Sequence, residues 1–563
     1  MSRLPVVLLW HMHQPQYRDG PSGRYVLPWT YLHAIKDYTD MAAHLEAQPT
    51  ARAVINLTPI LLEQLDELSA RIAQHLAAGT PLPDPVMALL GPDPVPQAPA
   101  ERLELLKACL RAERTHLIER FGPYLEIAGL AETLASLERV NYASDQMIHD
   151  LAVWYHIAWM GETVRRSDAR IATLTEQGRG YSVAQRRELL GIVGELIGSV
   201  IPRFRRLAER GQCELSVSPY AHPILPLLID FKSAREAAPA SPLPHASGYA
   251  GGAERAAWHI AESIRVFMSY FGARPRGCWP SEGAVSTASL ELLSRHGFTW
   301  AASSANVLRA SLNASGLNSE DPQAFNRPYH LPRSPLQCFF RDDVLSDLVG
   351  FTYATWHGDD AAQNLVHECV RLAQSYEDDS GHAVLIALDG ENAWEHYPFN
   401  GYYFLSALYR ELANHPQIEL MTLSDCVARG LAARELPTVV AGSWVHGTLG
   451  TWMGDVAKNA AWDLLAQAKL AVDRRLAASD PPPASREAIV RQLALCESSD
   501  WFWWFGDYNP AEAVSQFDQL YRRQLLRLYQ LLGEAPPEAL AHPLSVGHGV
   551  MEHGGVMRRA SGN

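Results

Sequence analysis

The stretch AVLIALDGENAWEHYP, residues 383–398, decides how the rest of the chain is read. Ala383–Leu388 is an unbroken apolar run, short for a helix and of the right length for a strand buried on both faces. It ends at an acid, Asp389, followed by Gly390. A second stretch, RGCWPSEGAVS at residues 276–286, repeats the pattern: Gly277–Trp279 stops at Pro280, and Glu282 and Gly283 follow. A carboxylate at the mouth of a buried strand is costly unless it does chemistry. Each acid has an indole nearby, Trp279 for Glu282 and Trp394 for Asp389. The two together predict acid–base and nucleophilic work on a sugar.

Working outward, further apolar runs at Val6–Trp10, Ala53–Leu57, Leu215–Val217, Thr299–Ala302 and Asp347–Phe351 read as strands, and helical patterns separate most of them. That alternation predicts an α/β fold with a parallel sheet or barrel. Active residues then lie at the C-terminal strand ends, where His11, Glu282 and Asp389 fall. Residues 80–100 carry seven prolines and read as a loop; residues 102–161 read as helical. After Pro437 strand signals fade, and residues 459–478 and 510–532 are strongly helical. The expected organisation is a catalytic barrel over 1–436 with a helical insertion around 100–210, a C-terminal helical domain over 437–541 that closes over the barrel, and a flexible Gly-, His- and Ser-rich tail over 542–563.

Bulk properties narrow the function. A formal charge of −14, with no clustered Lys/Arg stripe, argues against nucleic acid or an anionic membrane as partner. No apolar run approaches the length of a membrane span. The opening MSRLPVVLLWHMHQP lacks a small-residue cleavage site and reads as a first strand, not a signal peptide. The seven cysteines are odd in number and form no CxxC pair, which points to reduced thiols in a cytoplasm. Fifteen tryptophans suit carbohydrate faces as well as a large core.

Several residues then compete for roles. His11 and His13 are two apart at a strand end and share a face. They suit hydrogen bonds to a substrate hydroxyl; the rivals are a metal-ligand pair and ordinary packed or solvated histidines. Glu282 follows the break at Pro280 and reads as a nucleophile facing a pocket, against a plain helix-start acid favoured by the helix dipole. Asp389 reads as the general acid, ahead of Glu391 two residues on, against a capping aspartate. His222 lies between Pro219 and Pro223 on a rigid loop. Arg341 stands beside Asp342 and is a candidate to pair with it or to hold Glu282 ionised. Five consecutive aromatics, Trp501–Phe505, cannot all face one core, so some are expected in a cleft with Asp500 as a hydroxyl acceptor. Trp444 and Trp452, set among glycines, form a similar segment.

Taken in order, WHMHQP, SPYAHPILPLL, GCWPSEGAVS, ALDGENAWEHYP and ESSDWFWWFGD resemble the five sequence regions of glycoside hydrolase family 57, over residues 11 to about 507. The segments around Asn56 (NLTPILLEQL) and Arg341 (FFRDDVLSDLVGF) look like its amylopullulanase and α-amylase branch. The resemblance implies a (β/α)7 barrel, a distorted relative of the TIM barrel, followed by a helical region. It also implies a retaining mechanism on α-glucans, with Glu282 as nucleophile and Asp389 as acid/base. His11, His13, His222 and Trp279 match residues lining the donor subsite, and Asp500 and Trp501 match the fifth region. The implied substrate is an α-glucan or maltooligosaccharide, with α-1,4 bonds cleaved and α-1,6 bonds as a further candidate. No cofactor and no metal is implied. 4-α-Glucanotransferase and branching chemistry share the same first step, and a metal-dependent hydrolase or deacetylase on a similar barrel is the rival class. Oligomeric state is not legible in the sequence.

Overall fold

The computed structural model describes residues 3–20, 22–376, 381–479, 482–549 and 557. Most of the 542–563 tail therefore lies outside the described residues. Seven strands run parallel: β1 (Leu4–Met12), β2 (Ala53–Leu57), β3 (Cys213–Val217), β4 (Gly277–Cys278), β5 (Trp300–Ser304), β6 (Gln337–Arg341) and β7 (Val384–Asp389). Their hydrogen-bonded order is β6-β5-β4-β3-β2-β1-β7. The circuit closes between β6 and β7 without a regular ladder. There the Asp342 amide donates to the Leu385 carbonyl at 2.8 Å, and the Arg341 guanidinium donates to the Ala387 carbonyl at 2.9 Å. This is a (β/α)7 barrel whose last seam is made partly by side chains.

All residues of β1 and β2 are buried, because helices cover the outside of the ring and side chains fill its inside. Their β-branched and leucine-rich composition suits that double burial. Register follows from it, since a one-residue slip would move every side chain to the opposite face. β1 sits between β2 and β7 so that His11 is paired with Asn56 on one side and Asp389 on the other. Just past that pair, Gly390 donates its amide to the His11 carbonyl at 2.6 Å, and a Cβ there would come within 2.9 Å of Met12. The glycine after Asp389 thus leaves room for the Met12 side chain of the neighbouring strand.

The long crossover from β2 to β3 contains α1 (Pro59–Ala78) and α2 (Val183–Glu209), with shorter helices between them. α1 begins with Pro59 in its first turn and ends at left-handed Gly79. α2 is opened by a Ser182/Gln185 capping box. The proline-rich residues 80–100 are mostly loop, but Asp84 caps a single turn at Pro85–Ala88. The expected strand at Asp347–Phe351 is corrected: Asp342 caps a helix at Asp343–Asp347 by accepting from the Leu345 amide, and the helical turn continues through Thr352. The strand lies earlier, at β6, where Cys338, Phe339 and Phe340 are buried. A capping aspartate outweighed a short apolar run.

α3 (Gly252–Phe271) precedes β4, and beyond the barrel the chain forms α4 (Val456–Ala477), α5 (Arg486–Cys496), α6 (Ser499–Trp504) and α7 (Ala511–Leu532). Glu497, between α5 and α6, is fully buried against α3. Its carboxylate accepts from Arg255 at 2.5 Å, His259 at 2.7 Å and the Tyr249 hydroxyl at 2.6 Å. Burial alone would raise its pKa, but Arg255 and His259 outweigh burial and bring it down to about 2. Glu497 thereby clamps the start of α6 to the barrel. Replacing Glu497 with Ala strands the buried Arg255, and a loss of about 3–5 kcal/mol is expected, read as a lower midpoint in thermal or urea denaturation. The folded pKa lies below the ordinary value. The clamp is therefore intact above pH 4.5 and weakens as pH falls from there toward 2, and wild type should show this acid-side loss more strongly than Glu497→Gln.

Candidate active site

The C-terminal ends of β1, β4 and β7 open into a cavity of about 550 Å³ whose lining includes His11, His13, His222, Glu282, Asp389 and Asp500. Glu282 reaches it from a tight turn, Ser281–Gly283, in which its own backbone is left-handed at φ 58°. A non-glycine residue held there is strained, and Trp444 holds it from both ends. The Trp444 amide donates to the Glu282 carbonyl at 3.1 Å, and the Trp444 indole donates to Glu282 Oε2 at 3.0 Å.

Three imidazoles form a stack beside this acid. His13 and His222 lie face to face with centroids 3.9 Å apart, and His11 and His222 are 5.0 Å apart. His11 Nδ1 lies 2.6 Å from Asn56 Oδ1. That oxygen also accepts from Ser218, while the Asn56 amide group donates to Ser216. Asn56 Oδ1 can only accept, so His11 carries its proton on Nδ1. Burial, with His13 adjacent, lowers the His11 pKa to about 3. His222, at left-handed φ 59°, is held by Ser499 Oγ on its Nδ1 at 2.9 Å, and burial with its two histidine neighbours drives its pKa well down. Both rings are therefore neutral at ordinary pH.

α6 completes the floor. Asp500 takes both carboxylate oxygens to 3.0 Å from His13 Nε2, and the Ser499 amide donates to the His222 carbonyl at 2.9 Å. Ser499 sits between His222 and Glu282, a bridging role for which a serine beside so many aromatics gave no separate signal. One donor atom from each of His13, His222 and Asp500 lies within 4.8 Å of the others, so this trio could hold a divalent cation.

The acids crowd one another. Burial first, then the charges of Asp389 and Asp500, push Glu282 up to about 8, against the pull of Trp444 and Ser499. Burial also raises Asp389, opposed by the Asn392 amide that donates to its Oδ2 at 2.9 Å. Glu391, the rival acid, also lines the cavity but is almost fully buried. Its Oε1 accepts from the His13 amide, Gln14 and Tyr38 at 3.0–3.3 Å, and burial raises its pKa strongly. Arg341 neither pairs with Asp342 nor reaches Glu282: it bonds Asp343 at 2.8 Å and lies over the Trp444 ring at 5.0 Å.

Three expected sugar-contacting indoles lie elsewhere. Trp394 packs edge-on against Trp10 in the core and donates to the Gly390 carbonyl. Trp501 is buried against Phe517 and Tyr521. Trp279 is fully buried beneath the site, edge-on to Trp444 at 5.1 Å. The aromatic surface of the cavity comes instead from Trp29, Trp159, Trp444, Trp503 and Trp504. Of the five consecutive aromatics only Trp503 and Trp504 face the cleft, since a short helix can turn only one side outward.

A branching enzyme from Thermococcus kodakaraensis, crystallised with glucose, shares this fold with TM-score 0.57 at 16% identity over 94% of this chain and 90% of that one. An α-amylase from Thermotoga maritima gives 0.57 at 13% identity over 96% of each chain. A 4-α-glucanotransferase from Thermococcus litoralis gives 0.51 at 12% identity over 94% of this chain and 60% of that one. No curated protein matches the sequence significantly. The family model of glycosyl hydrolase family 57 matches residues 7–439. Barrel, cleft and sequence agree: the chain belongs to glycosyl hydrolase family 57, enzymes that act on α-glucans.

Proposed function

We propose that the protein cleaves α-1,4-glucosidic bonds, and α-1,6 bonds as a secondary activity, with retention of configuration. The observation that carries this reading is the placement of Glu282 and Asp389 on one cavity, with the charge of Asp389 acting on Glu282. Asp389 protonates the departing glycosidic oxygen while the Glu282 carboxylate attacks the anomeric carbon, forming a glycosyl ester. Asp389 then takes a proton from the incoming water, whose oxygen displaces Glu282. His11 and His222 hold sugar hydroxyls through Nε2, while His13, whose two ring nitrogens bond Thr58 and Asp500, braces the stack beside them. Trp444 keeps the nucleophile aimed through its indole hydrogen bond.

A second reading, transfer to a sugar hydroxyl, is favoured by one feature. Trp503 and Trp504, contributed by α6, give the cavity an apolar wall suited to a second glucan chain. Both readings share the first chemical step and differ only in the acceptor. The His13–His222–Asp500 trio is the feature that favours a metal-dependent reaction. Against it, His13 and Asp500 already bond each other and His222 bonds Ser499. The seven cysteines are all buried with free thiols, which supports a reducing, cytoplasmic setting. No described helix is long and apolar enough to cross a membrane.

Incubation with maltoheptaose followed by chromatography separates the outcomes: only shorter products mean hydrolysis, longer ones mean transfer, and no change defeats the glucan reading. The first-formed product should be the α-anomer by NMR; the β-anomer would exclude retention. Activity should persist after chelation. Glu282→Gln and Asp389→Asn should each lower kcat by roughly 10³-fold or more while oligosaccharide binding, followed calorimetrically, is kept.

The pH profile follows from the acids. Turnover needs one proton shared by the pair, with Glu282 ionised in the reacting form. Both carboxyls titrate above their ordinary values, Glu282 at about 8, so kcat/KM should rise with pH above the ordinary carboxylate range and fall as the last shared proton is lost, near pH 8. A bell centred below pH 4 would contradict this arrangement.

A further inference from the structure

His33 lines the same cavity but has no place in the chemistry above. It ends the helical turn Trp29–His33, and the chain then widens into a π-turn at Ala34–Tyr38. Asp37, four residues on and so on the same helical face, meets it, with His33 Nδ1 2.7 Å from Asp37 Oδ2. Asp37 has no exposure. Its other oxygen accepts from Lys36 Nζ at 2.5 Å, and Lys36, also without exposure, reaches on to Asn400 Oδ1 at 3.2 Å. Burying such an ion pair costs several kcal/mol, so its presence behind one imidazole calls for a reason beyond packing.

Orientation is that reason. An ionised carboxylate only accepts, so Asp37 fixes the His33 proton on Nδ1 and leaves Nε2 as the atom the ring can offer. Trp159 meets His33 edge-on at 5.7 Å, Trp29 lies 6.4 Å away, and both indoles line the cavity with it. The π-turn that follows His33 is tied to the segment beyond β7: Tyr38 donates to Glu391 Oε1 at 3.1 Å and Lys36 to Asn400, which places the ring on the side of the site that carries Asp389. A retaining mechanism puts the departing sugar on that side.

We propose that His33 binds the glucosyl unit on the leaving-group side of the cleaved bond, its Nε2 accepting a hydrogen bond from a ring hydroxyl, with Trp29 and Trp159 as the wall of that subsite. The same unit is the one that departs during cleavage and the one that arrives during transfer. Asp37 is a positioning residue that acts through His33. The proposal rests on the assignment of Glu282 and Asp389 to glucan cleavage.

The test compares His33→Ala and His33→Gln with the unaltered enzyme on two substrates. One is maltoheptaose, which places a sugar beyond the cleavage point. The other is a nitrophenyl α-maltooligoside, cleaved so that nitrophenol departs and no sugar occupies that side. His33→Ala should lower kcat/KM on maltoheptaose by about 10- to 100-fold, mostly through KM, and change nitrophenol release by less than about 3-fold. His33→Gln, which keeps a polar end, should recover part of the loss. Equal losses on both substrates would overturn the proposal, because a merely structural role moves both alike; so would an unchanged rate on maltoheptaose. If the unaltered enzyme cleaves neither substrate, the glucan reading fails first, and that failure shows without any variant.

Discussion

Parallel strands buried on both faces leave polar side chains one place to gather, the C-terminal mouths of the strands. The site depends on this constraint. Along β1 nothing from Leu4 to Trp10 is polar, and the first ionisable side chain, His11, appears where the ladder pairs it with Asn56 and Asp389. Asp389 closes β7 in the same way, and Glu282 follows the two-residue β4. Along β1 and β7 the apolar ladders confine the chemistry to those ends.

That concentration sets the electrostatics. Glu282, Asp389, Asp500 and Glu391 converge on one buried region, and His11 and His222 among them are driven toward neutrality. The Arg341 guanidinium is committed to Asp343 and to the seam between β6 and β7, from where its charge also acts on Asp389. Hydrogen-bond donors, Trp444 on Glu282 and Asn392 on Asp389, stabilise the charged forms directly. A site held this way keeps a proton among its acids, which general acid catalysis requires.

Much of this was legible from local patterns. The strands carrying His11, Glu282 and Asp389 are strongly apolar and end abruptly, so both the α/β reading and the two acids followed from them. The strand expected at Asp347–Phe351 failed because an apolar run of that length fits a helix equally well, and Asp342 tipped the balance. Trp394 is expected on the cavity because it closely follows Asp389 in sequence, and Trp501 because it opens the aromatic run that matches the fifth region. Gly390 and the short α6 turn them into the core instead. The four-residue spacing of His33 and Asp37 shows in the sequence, but that the pair is deeply buried and that the ring lines the cavity does not.

The sequence by itself determined where the strands end and which acids sit at those ends, because strand burial is written in runs of neighbouring apolar residues. Only the tertiary structure decided which of fifteen indoles face the cavity, that Asp500 meets His13 across nearly five hundred positions, and that Glu497 clamps α6 onto α3. Those outcomes depend on contacts between segments far apart in the chain, whose free energies come from burial and pairing that no local window contains.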